Sequence, residues 1–260
     1  RRDRAFVNML LNRPGASISG NSMWIQRRLK SVYGLKSNPT KENGEPPVRD
    51  DAGRPLEATH LMHVINIEAW PIEASAEEIS ALEAAPEPPQ PYVMTVGRMS
   101  HVKGTWATLR SLRGTGFGLV HVGGGDAADK AALHAEAKRL NVPLVCMPRL
   151  SQPALVGLVR NAHAMVSHAH HEPFGLTPIE AMAVGTPALM VDEGGFQCTM
   201  SGVDSGRLIR RDDEGAWTQA YEEAKNPDVR RAWAEVGRPY VEAKFTLPVQ
   251  IAALERMLGL

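Results

Sequence analysis

An α/β fold with a doubly wound parallel sheet is predicted for the larger part of this 260-residue chain. From about Pro91 onward, short apolar runs alternate with stretches in which apolar residues recur at helical spacing. The runs are almost continuously apolar, which is typical of parallel strands covered by helices on both faces. Because crossovers between parallel strands are almost always right-handed, helices are expected on both sides of the sheet, with a ligand off the carboxyl ends of its strands.

The strands are predicted from their apolar runs, and they cover residues 91–97, 116–123, 142–148, 164–168, 187–191 and 206–210. The helices are predicted between them, over residues 104–113, 127–140, 152–161 and 176–185. After about residue 212 the chain is expected to be helical to its end, with a break near KFTLPVQ. The length fits one large domain, or one and a half.

The segment before Pro91 has a different pattern. RAFVNMLL predicts a strand, and NSMWIQRRLKSVYGL predicts an amphipathic helix. Residues 37–59 are polar and rich in Pro and Gly, which indicates a loop or an insertion. HLMHVINIEAW has strand character again, and EAAPEPPQP is typical of a stiff linker into the main domain.

The composition narrows the function classes. Lys plus Arg and Asp plus Glu both number 29, so the zero net charge does not favour a polyanion such as bulk nucleic acid as partner. Only Cys146 and Cys198 occur, without a CxxC pair, which fits a reducing compartment. No apolar run reaches the length of a membrane span and no signal peptide is visible. The chain begins with Arg1, which indicates a processed or truncated polypeptide.

A loop with two cations follows the first strand of the main domain. The sequence VGRMSHVKG places Gly97 where the strand finishes, followed by Arg98, Lys103 and Gly104. A guanidinium and an ammonium that reach the same anion would bind phosphate well. A solvated loop with two surface cations is an equally good interpretation of this spacing.

A glycine-rich turn follows the second strand, in HVGGGDAADKAALHAEAKRL, and includes Gly124. Backbone N–H groups of such a turn can hold a phosphate. However, Asp126 and Ala128 break the GxGxxG pattern, and no Walker lysine follows. A tight strand-to-helix turn that needs a positive φ is the favoured interpretation.

The stretch HHEPFGLTPIEAMAVGTPAL carries the strongest signal. Gly175 lies between a buried strand and a helix, where it lets the backbone approach a ligand, and the free N–H groups that follow favour a negative group. Glu172 and Glu180 would repel a phosphate, so they are expected to accept hydrogen bonds from hydroxyls. Sugars and ribose supply such hydroxyls in pairs.

Each residue of this stretch also has a purely structural interpretation. TPIE has the pattern of a capping box, with Thr177 as the N-cap, Pro178 at the first helical position and Glu180 three residues after the cap. That arrangement would satisfy Glu180 without a ligand, and the pattern leaves both interpretations open. Phe174 is expected to pack in the core.

A metal site is the competing interpretation of His168, His170, His171 and Glu172. In extended backbone, His168 and His170 share one face while His171 points the other way. No further ligand has a recognisable zinc spacing. A structural or solvent-facing histidine cluster is therefore favoured, and no metal is expected.

Three stretches in this order, GRMSHVKG, VGGGD and EPFGLTPIEAMAVGTPALMVDEGG, resemble the C-terminal half of the large retaining glycosyltransferase family with the E-P-F-G-x-x-x-x-E element. The resemblance implies the GT-B architecture, in which two Rossmann-like domains face a cleft and the C-terminal one holds a nucleotide-sugar donor. It implies a tail of the N-terminal acceptor domain with a polar insertion over 1–60 and an interdomain segment over 61–90. A Rossmann-like donor domain over 91–243 and a crossover helix over 244–260 would follow.

The resemblance also implies a role for individual residues. Arg98 and Lys103 match the basic pair that holds the donor diphosphate, and Glu172 matches the glutamate that contacts the transferred sugar. These three residues are the expected catalytic groups, and Glu180 matches the glutamate that hydrogen-bonds the ribose hydroxyls. The other positions that the resemblance assigns to the donor site are Gly97, Gly124, Met147, Arg149, Phe174, Gly175 and Leu176.

The chain departs from the family pattern at three places. His168 and Ala169 stand where the family commonly has Pro-Ser, and FQCTM after DEGG lacks the usual glutamate. Ile67 replaces the glycine of an N-G-V-D element. These departures concern the donor sugar rather than the nucleotide.

The implied reaction transfers a sugar from a UDP- or GDP-linked donor to a carbohydrate, lipid-linked or small-molecule hydroxyl acceptor, with retention and without a cofactor or metal. Arg98, Lys103 and the helix N-terminus would stabilise the departing diphosphate. The expected location is the cytoplasm or the inner membrane face.

Two other function classes compete with this enzyme. One is a nucleotide-sugar-binding fragment or subunit without independent catalysis, which lacks an N-terminal domain or a partner chain. A dinucleotide-binding oxidoreductase is disfavoured, because neither GxGxxG nor a suitably placed ribose-binding acid is present.

Overall fold

The computed structural model describes residues 18–33, 58–258 and 260. The strand predicted at RAFVNMLL and nearly all of the polar segment 37–59 lie outside the described residues. The described residues fall into two compact units. One takes in the residues up to Val64 together with those from Leu247 onward, and the other runs from Ile65 to Thr246.

The described strands are β1 (Ile18–Gly20), β2 (Ala58–His60), β3 (Tyr92–Val96), β4 (Gly118–Val122), β5 (Leu144–Met147), β6 (Met165–Ser167), β7 (Ala188–Val191) and β8 (Gly206–Ile209). The described α-helices are α1 (Met23–Tyr33), α2 (Ala76–Glu83), α3 (Thr105–Ser111), α4 (Ala127–Leu140), α5 (Gln152–Asn161), α6 (Leu176–Ala183), α7 (Phe196–Thr199), α8 (Glu214–Lys225), α9 (Pro227–Lys244) and α10 (Leu247–Leu258). In the smaller unit, β1 and β2 form a parallel pair.

One parallel sheet organises the larger unit, with the strand order β5-β4-β3-β6-β7-β8. The order runs outward in opposite directions from β3 and β6, so the sheet reverses between these two strands. Open α/β sheets bind their ligands at such a switch point, beyond the carboxyl ends of the two central strands. The predicted doubly wound, Rossmann-like sheet is confirmed.

The sheet is covered on both faces, as its apolar strands predict. Every residue of β4 and of β7 is buried, and Val93, Met94, Leu119, Leu189 and Met190 have no measurable exposure. Burial of each such side chain stabilises the fold by about 1.5–3 kcal/mol. The resulting rigid core holds the strand ends, and therefore the loops beyond them, in fixed positions.

Helix α2 was not predicted from the sequence. Ser75 accepts a hydrogen bond from the backbone N–H of Glu78 at 3.1 Å and caps the helix. The buried Glu78 carboxylate pairs with Arg160 of α5, which also donates to the carbonyl of Pro71. The Ser-x-x-Glu pattern just before the proline-rich linker was the available signal.

The strand predicted at HLMHVINIEAW is wrong for most of its length. Strand β2 ends at His60, and residues 67–69 form a 3₁₀ turn that Asn66 caps by accepting from the N–H of Glu68 at 3.2 Å. The C-terminal helical region breaks where predicted, between α9 and α10, but also at Asn226. Asn226 caps α9 and Pro227 takes its first position, a start signal that the sequence displays.

Candidate functional site

The loops after β3 and β6 meet at the switch point of the sheet. Gly104 caps α3 with φ +70°, and a Cβ atom at this position would lie 2.1 Å from the carbonyl oxygen of His168. The backbone N–H of His170 donates to the carbonyl of Val102 at 2.8 Å. Only a glycine permits this approach, so the loop that carries the cations rests directly on the loop that carries Glu172.

Lys103 and Glu172 form an ion pair across these two loops. The Lys103 ammonium donates to Glu172 Oε2 at 2.6 Å, and the side chains are 41% and 21% exposed. The two residues are 69 positions apart in the chain, so the fold alone brings them together. Water reaches the pair and screens it, so an incoming anion can compete with the carboxylate for the ammonium.

Arg98 follows β3 and Gly97, which has φ +147°. Its side chain is exposed, and no carboxylate or carbonyl among the described residues accepts a hydrogen bond from it. The guanidinium therefore remains available to an anion at the carboxyl edge of the sheet. A planar fork of five donors suits a phosphate.

Helix α6 starts in the Pro-Phe-Gly turn, as the anion-site interpretation requires. Gly175 is its N-cap with φ +94°, no side chain caps it, and Leu176 is its first residue. A Cβ atom at Gly175 would lie 2.6 Å from the Phe196 ring, so the position requires glycine for packing as well as for its φ. The uncapped N–H groups at this helix end are the donors that anions use.

The capping-box interpretation of TPIE is wrong. Because the helix begins at Leu176, Thr177 lies inside the first turn and not at the cap. Glu180 consequently falls in the second turn, where it cannot reach back to the N-cap backbone. The left-handed conformation of Gly175 starts the helix two residues earlier than the Thr-Pro pattern indicates.

The Glu180 carboxylate therefore does not cap its own helix. It is largely buried, and no donor among the described residues hydrogen-bonds to its side chain. Burial raises the pKa of Glu180 from 4.5 to about 7. A desolvated, unpaired carboxylate costs stability, and such groups cluster at functional sites.

The loop after β7 supports the backbone around Glu172. Gly195 donates its N–H to the carbonyl of Glu172 at 2.6 Å, and a Cβ atom at Gly194 would lie 2.6 Å from that same oxygen. A Cβ atom at Gly195 would lie 2.3 Å from the carbonyl oxygen of Phe174. These two glycines were not predicted as site residues. Their signal was the pair GG at the end of a buried strand.

The three histidines separate into one core residue and two surface residues. His168 is 3% exposed, stacks on Trp217 with ring centroids 3.8 Å apart, and shares a 3.2 Å hydrogen bond with Thr108. Burial, aided by the positive charge of Arg211, lowers the pKa of His168 to about 3, so its ring is neutral. His170 and His171 are exposed, and the described residues contain no group of three or more potential metal ligands.

The glycine-rich turn after β4 serves the backbone. Gly123 has φ +149°, and a Cβ atom there would lie 2.0 Å from the carbonyl oxygen of Gly97. Gly124 is exposed, and its carbonyl accepts from the N–H of Met99 at 2.7 Å. Asp126 caps α4 by accepting from Asp129 N–H at 2.7 Å, so a carboxylate already occupies this helix end. The geometry favours a strand-to-helix turn over a phosphate cradle.

The remaining predicted positions differ in exposure. Met147 and Phe174 are buried in the core, where Phe174 packs edge to face with Phe245 at a centroid distance of 6.0 Å. Arg149 and Leu176 are exposed. Met147 is 1% exposed, so neither its backbone nor its side chain reaches solvent, and its carbonyl accepts from Gly123 N–H at 3.0 Å.

Curated proteins with similar sequences are glycosyltransferases and glycogen synthases. The D-inositol 3-phosphate glycosyltransferase of Corynebacterium jeikeium is 27% identical over 175 residues, which cover 62% of this chain and 42% of that protein. The chain spans less than half the length of the curated relatives it matches.

Solved structures share the fold at low sequence identity. Sucrose-phosphate synthase from Thermosynechococcus elongatus matches with a TM-score of 0.71 and 21% identity, over 93% of this chain and 58% of that one. The Anabaena protein HepE in complex with UDP-glucose matches with a TM-score of 0.73 and 16% identity, over 100% of this chain and 68% of that one. The family model described as "Glycosyl transferases group 1" matches residues 77–238, which include every predicted donor-site residue. The chain therefore belongs to the glycosyl transferases group 1 family.

Proposed function

We propose that this chain supplies the donor site of a glycosyltransferase that moves a sugar from a nucleoside diphosphate to an acceptor hydroxyl with retention of configuration. The observation that carries this proposal is the Lys103–Glu172 ion pair, which lies at the switch point together with the uncapped start of α6. In this arrangement a cation, free N–H groups and a carboxylate lie at the same edge of the sheet. A phosphate and a polyhydroxylated sugar together need these three kinds of group.

Donor binding exchanges the partners of the ion pair. The diphosphate takes the place of the Glu172 carboxylate on the Lys103 ammonium, and the released carboxylate accepts hydrogen bonds from sugar hydroxyls. Arg98, which has no described partner in the free protein, adds a second cation for the diphosphate. No buried charge has to be created for this exchange, since both members of the pair are already accessible to water.

Departure of the nucleoside diphosphate develops negative charge on its phosphate oxygens. The sheet fixes the loops that carry Lys103 and Arg98 and the N-terminus of α6, so these groups are close at hand to stabilise this charge. Glu180 accepts from the ribose hydroxyls, which supply the hydrogen bonds that its carboxylate lacks in the free protein. These side chains and the helix end stabilise the leaving group without requiring a metal ion.

We propose that the donor carries a uridine diphosphate group. The support is the likeness to HepE, which was solved with UDP and with UDP-glucose. GDP-linked sugars are the competing donors. The acceptor is proposed only as a hydroxyl group.

A nucleotide-sugar-binding piece without independent catalysis is the second candidate function. One observation favours it: α10 exposes a row of apolar side chains at spacings of three and four, namely Leu247, Ile251, Leu254 and Leu258. Such a row fits contact with further protein. No helix among the described residues is both long and apolar enough to cross a membrane.

A thermal-shift screen tests the proposed function, because a ligand that binds only the folded state raises its melting temperature. The panel contains UDP, UDP-glucose, UDP-N-acetylglucosamine, GDP-mannose and NAD. A shift with a UDP-sugar and none with NAD is expected, whereas NAD alone giving a shift would overturn the proposal. Turnover of the stabilising donor, measured with and without the N-terminal half of a relative, separates an enzyme from a binding piece.

A further inference from the structure

Arg211 joins three loops at the carboxyl edge of the sheet. It lies two residues beyond β8, and its side chain is 26% exposed. Its guanidinium donates to the carbonyls of His168 and Ala169 at 2.8 and 3.2 Å, and to both oxygens of Glu193 at 2.8 and 2.9 Å. No predicted role had been attached to this arginine.

The groups that Arg211 contacts on either side are both connected to Glu172. On one side, His168 and Ala169 follow β6 in the same loop that contains Glu172. On the other side, Glu193 immediately precedes Gly194 and Gly195, whose backbone lies against Glu172 and donates to its carbonyl at 2.6 Å. Arg211 therefore holds the segment that carries Glu172 and the segment that supports it.

The number of acceptors explains why an arginine is needed. The carbonyls of His168 and Ala169 lie just beyond β6 in residues that are 3% and 2% exposed, and buried carbonyls require donors. Five donors in a rigid plane can make all four of these hydrogen bonds together, whereas the ammonium of a lysine has only three donors. The Arg211 guanidinium also holds the pKa of Glu193 below its usual range, so the pair stays ionised at neutral pH.

The packing around His168 restricts the same segment from its inner side. The imidazole stacks on Trp217, whose indole N–H donates to the carbonyl of Arg210 at 3.1 Å. These two contacts hold the end of β8 next to the end of β6, and they fix the backbone from which the Arg211 side chain extends. The departure from Pro-Ser to His168 and Ala169 thus has a structural counterpart in Trp217 and Arg211.

We propose that Arg211 is a positioning residue that sets the orientation of Glu172 toward the donor sugar, with Glu193 as its partner. The inference rests on the proposed function, since it concerns the sugar-binding carboxylate. Arg211 itself contacts neither the nucleotide nor the sugar. Its effect is therefore confined to the part of the affinity that the sugar contributes.

The test measures the affinity for UDP and for UDP-glucose by isothermal titration calorimetry, so that their ratio isolates the sugar. Arg211→Met is expected to weaken UDP-glucose binding about tenfold and to change UDP binding less than twofold. Arg211→Lys, which keeps the charge and loses the fork, is expected to fall between the wild type and Arg211→Met. The matched control is Arg210→Met, because Arg210 is an exposed neighbour whose side chain, among the described residues, forms its ion pair with the exposed Asp212.

A double-mutant cycle with Glu172→Gln separates positioning from a merely structural role. If Arg211 acts through Glu172, Arg211→Met causes no further change of the ratio once Glu172 is replaced. A full additional loss in the Glu172→Gln background would overturn the proposal. So would an unchanged ratio in a folded Arg211→Met variant.

Two further outcomes complete the test. If Arg211→Met does not fold, Arg211→Lys and Glu193→Gln are measured instead, and an unchanged ratio in both overturns the proposal. If the wild type binds neither UDP nor UDP-glucose, the proposed function fails and this inference fails with it. Wild-type binding with an unchanged ratio in the variants overturns the inference alone.

Discussion

Replacing Glu180 by Gln is expected to stabilise the free protein and to weaken donor binding. The carboxylate is largely buried, no described residue donates to it, and burial raises its pKa from 4.5 to about 7. At a pH above both values, this difference corresponds to about 3 kcal/mol of unfavourable free energy for keeping the charged group in the folded state. A glutamine of the same shape carries no such charge.

The pH dependence of this effect has a defined sign. The folded-state pKa of Glu180 lies above the unfolded-state value, so the folded protein holds more protons than the unfolded chain between pH 4.5 and 7. The free energy of unfolding therefore falls as the pH rises through this window, and the loss is complete above pH 7. The Gln variant lacks this loss, although its amide must also be desolvated. We expect a gain of roughly 1–3 kcal/mol at pH 8 and almost none near pH 4.5.

Urea unfolding followed by circular dichroism at pH 5 and pH 8 measures the effect, with Glu235→Gln on the exposed face of α9 as the control. Calorimetry at pH 8 is expected to show at least tenfold weaker UDP-glucose binding by Glu180→Gln, because the proposed acceptor of the ribose hydroxyls is lost. Equal stability of the wild type and the variant at pH 8 would refute the desolvation argument. Undiminished donor affinity would refute the ribose assignment.

Three other substitutions test separate parts of the structure. Gly114→Ala is expected to destabilise the protein by roughly 1–2 kcal/mol, because the position has a positive φ. Gly104→Ala is expected to cost at least twice as much, because of these two glycines only Gly104 also meets a backbone carbonyl. Equal losses of stability in urea unfolding would contradict this close approach. Glu78→Ala leaves Arg160 buried without its carboxylate, so a loss of about 3–5 kcal/mol is expected in the same assay, and a loss below 1 kcal/mol would show that the pair is solvated. Glu172→Gln is expected to tighten the binding of UDP, because the diphosphate then has no carboxylate competing for the Lys103 ammonium. The same variant is expected to bind UDP-glucose no more tightly than UDP. Weaker UDP binding in calorimetry would contradict the exchange of partners.

Much of the fold could be predicted because its signals are local. Continuous apolar runs identify strands buried on both faces, and six of them occur, most of them separated by helical stretches as in a doubly wound sheet. The failures occur where short polar signals compete. The Ser75–Glu78 pattern marks α2 but lies beside a proline-rich linker, and Asn226-Pro227 interrupts a region that otherwise looks continuously helical.

For the candidate site, the sequence predicted only the types of residue and the edge of the sheet at which they lie. The strand order places Arg98, Lys103 and Glu172 at one switch point, as the position of their loops after apolar runs indicates. The start of α6 was ambiguous, because the choice between Gly175 and Thr177 depends on packing against Phe196 that no local pattern records. Arg211 was not foreseeable, since its four hydrogen bonds reach residues 18 to 43 positions away.

The central claim is that the switch point binds a nucleoside diphosphate sugar through a lysine that exchanges Glu172 for phosphate. Calorimetric titration of UDP-glucose at pH 8 into the wild type, Lys103→Ala and the exposed control Lys138→Ala of α4 tests it most directly. The claim predicts equal affinity for the wild type and Lys138→Ala, and at least tenfold weaker binding by Lys103→Ala. Equal binding by all three proteins, or none by the wild type, would contradict it.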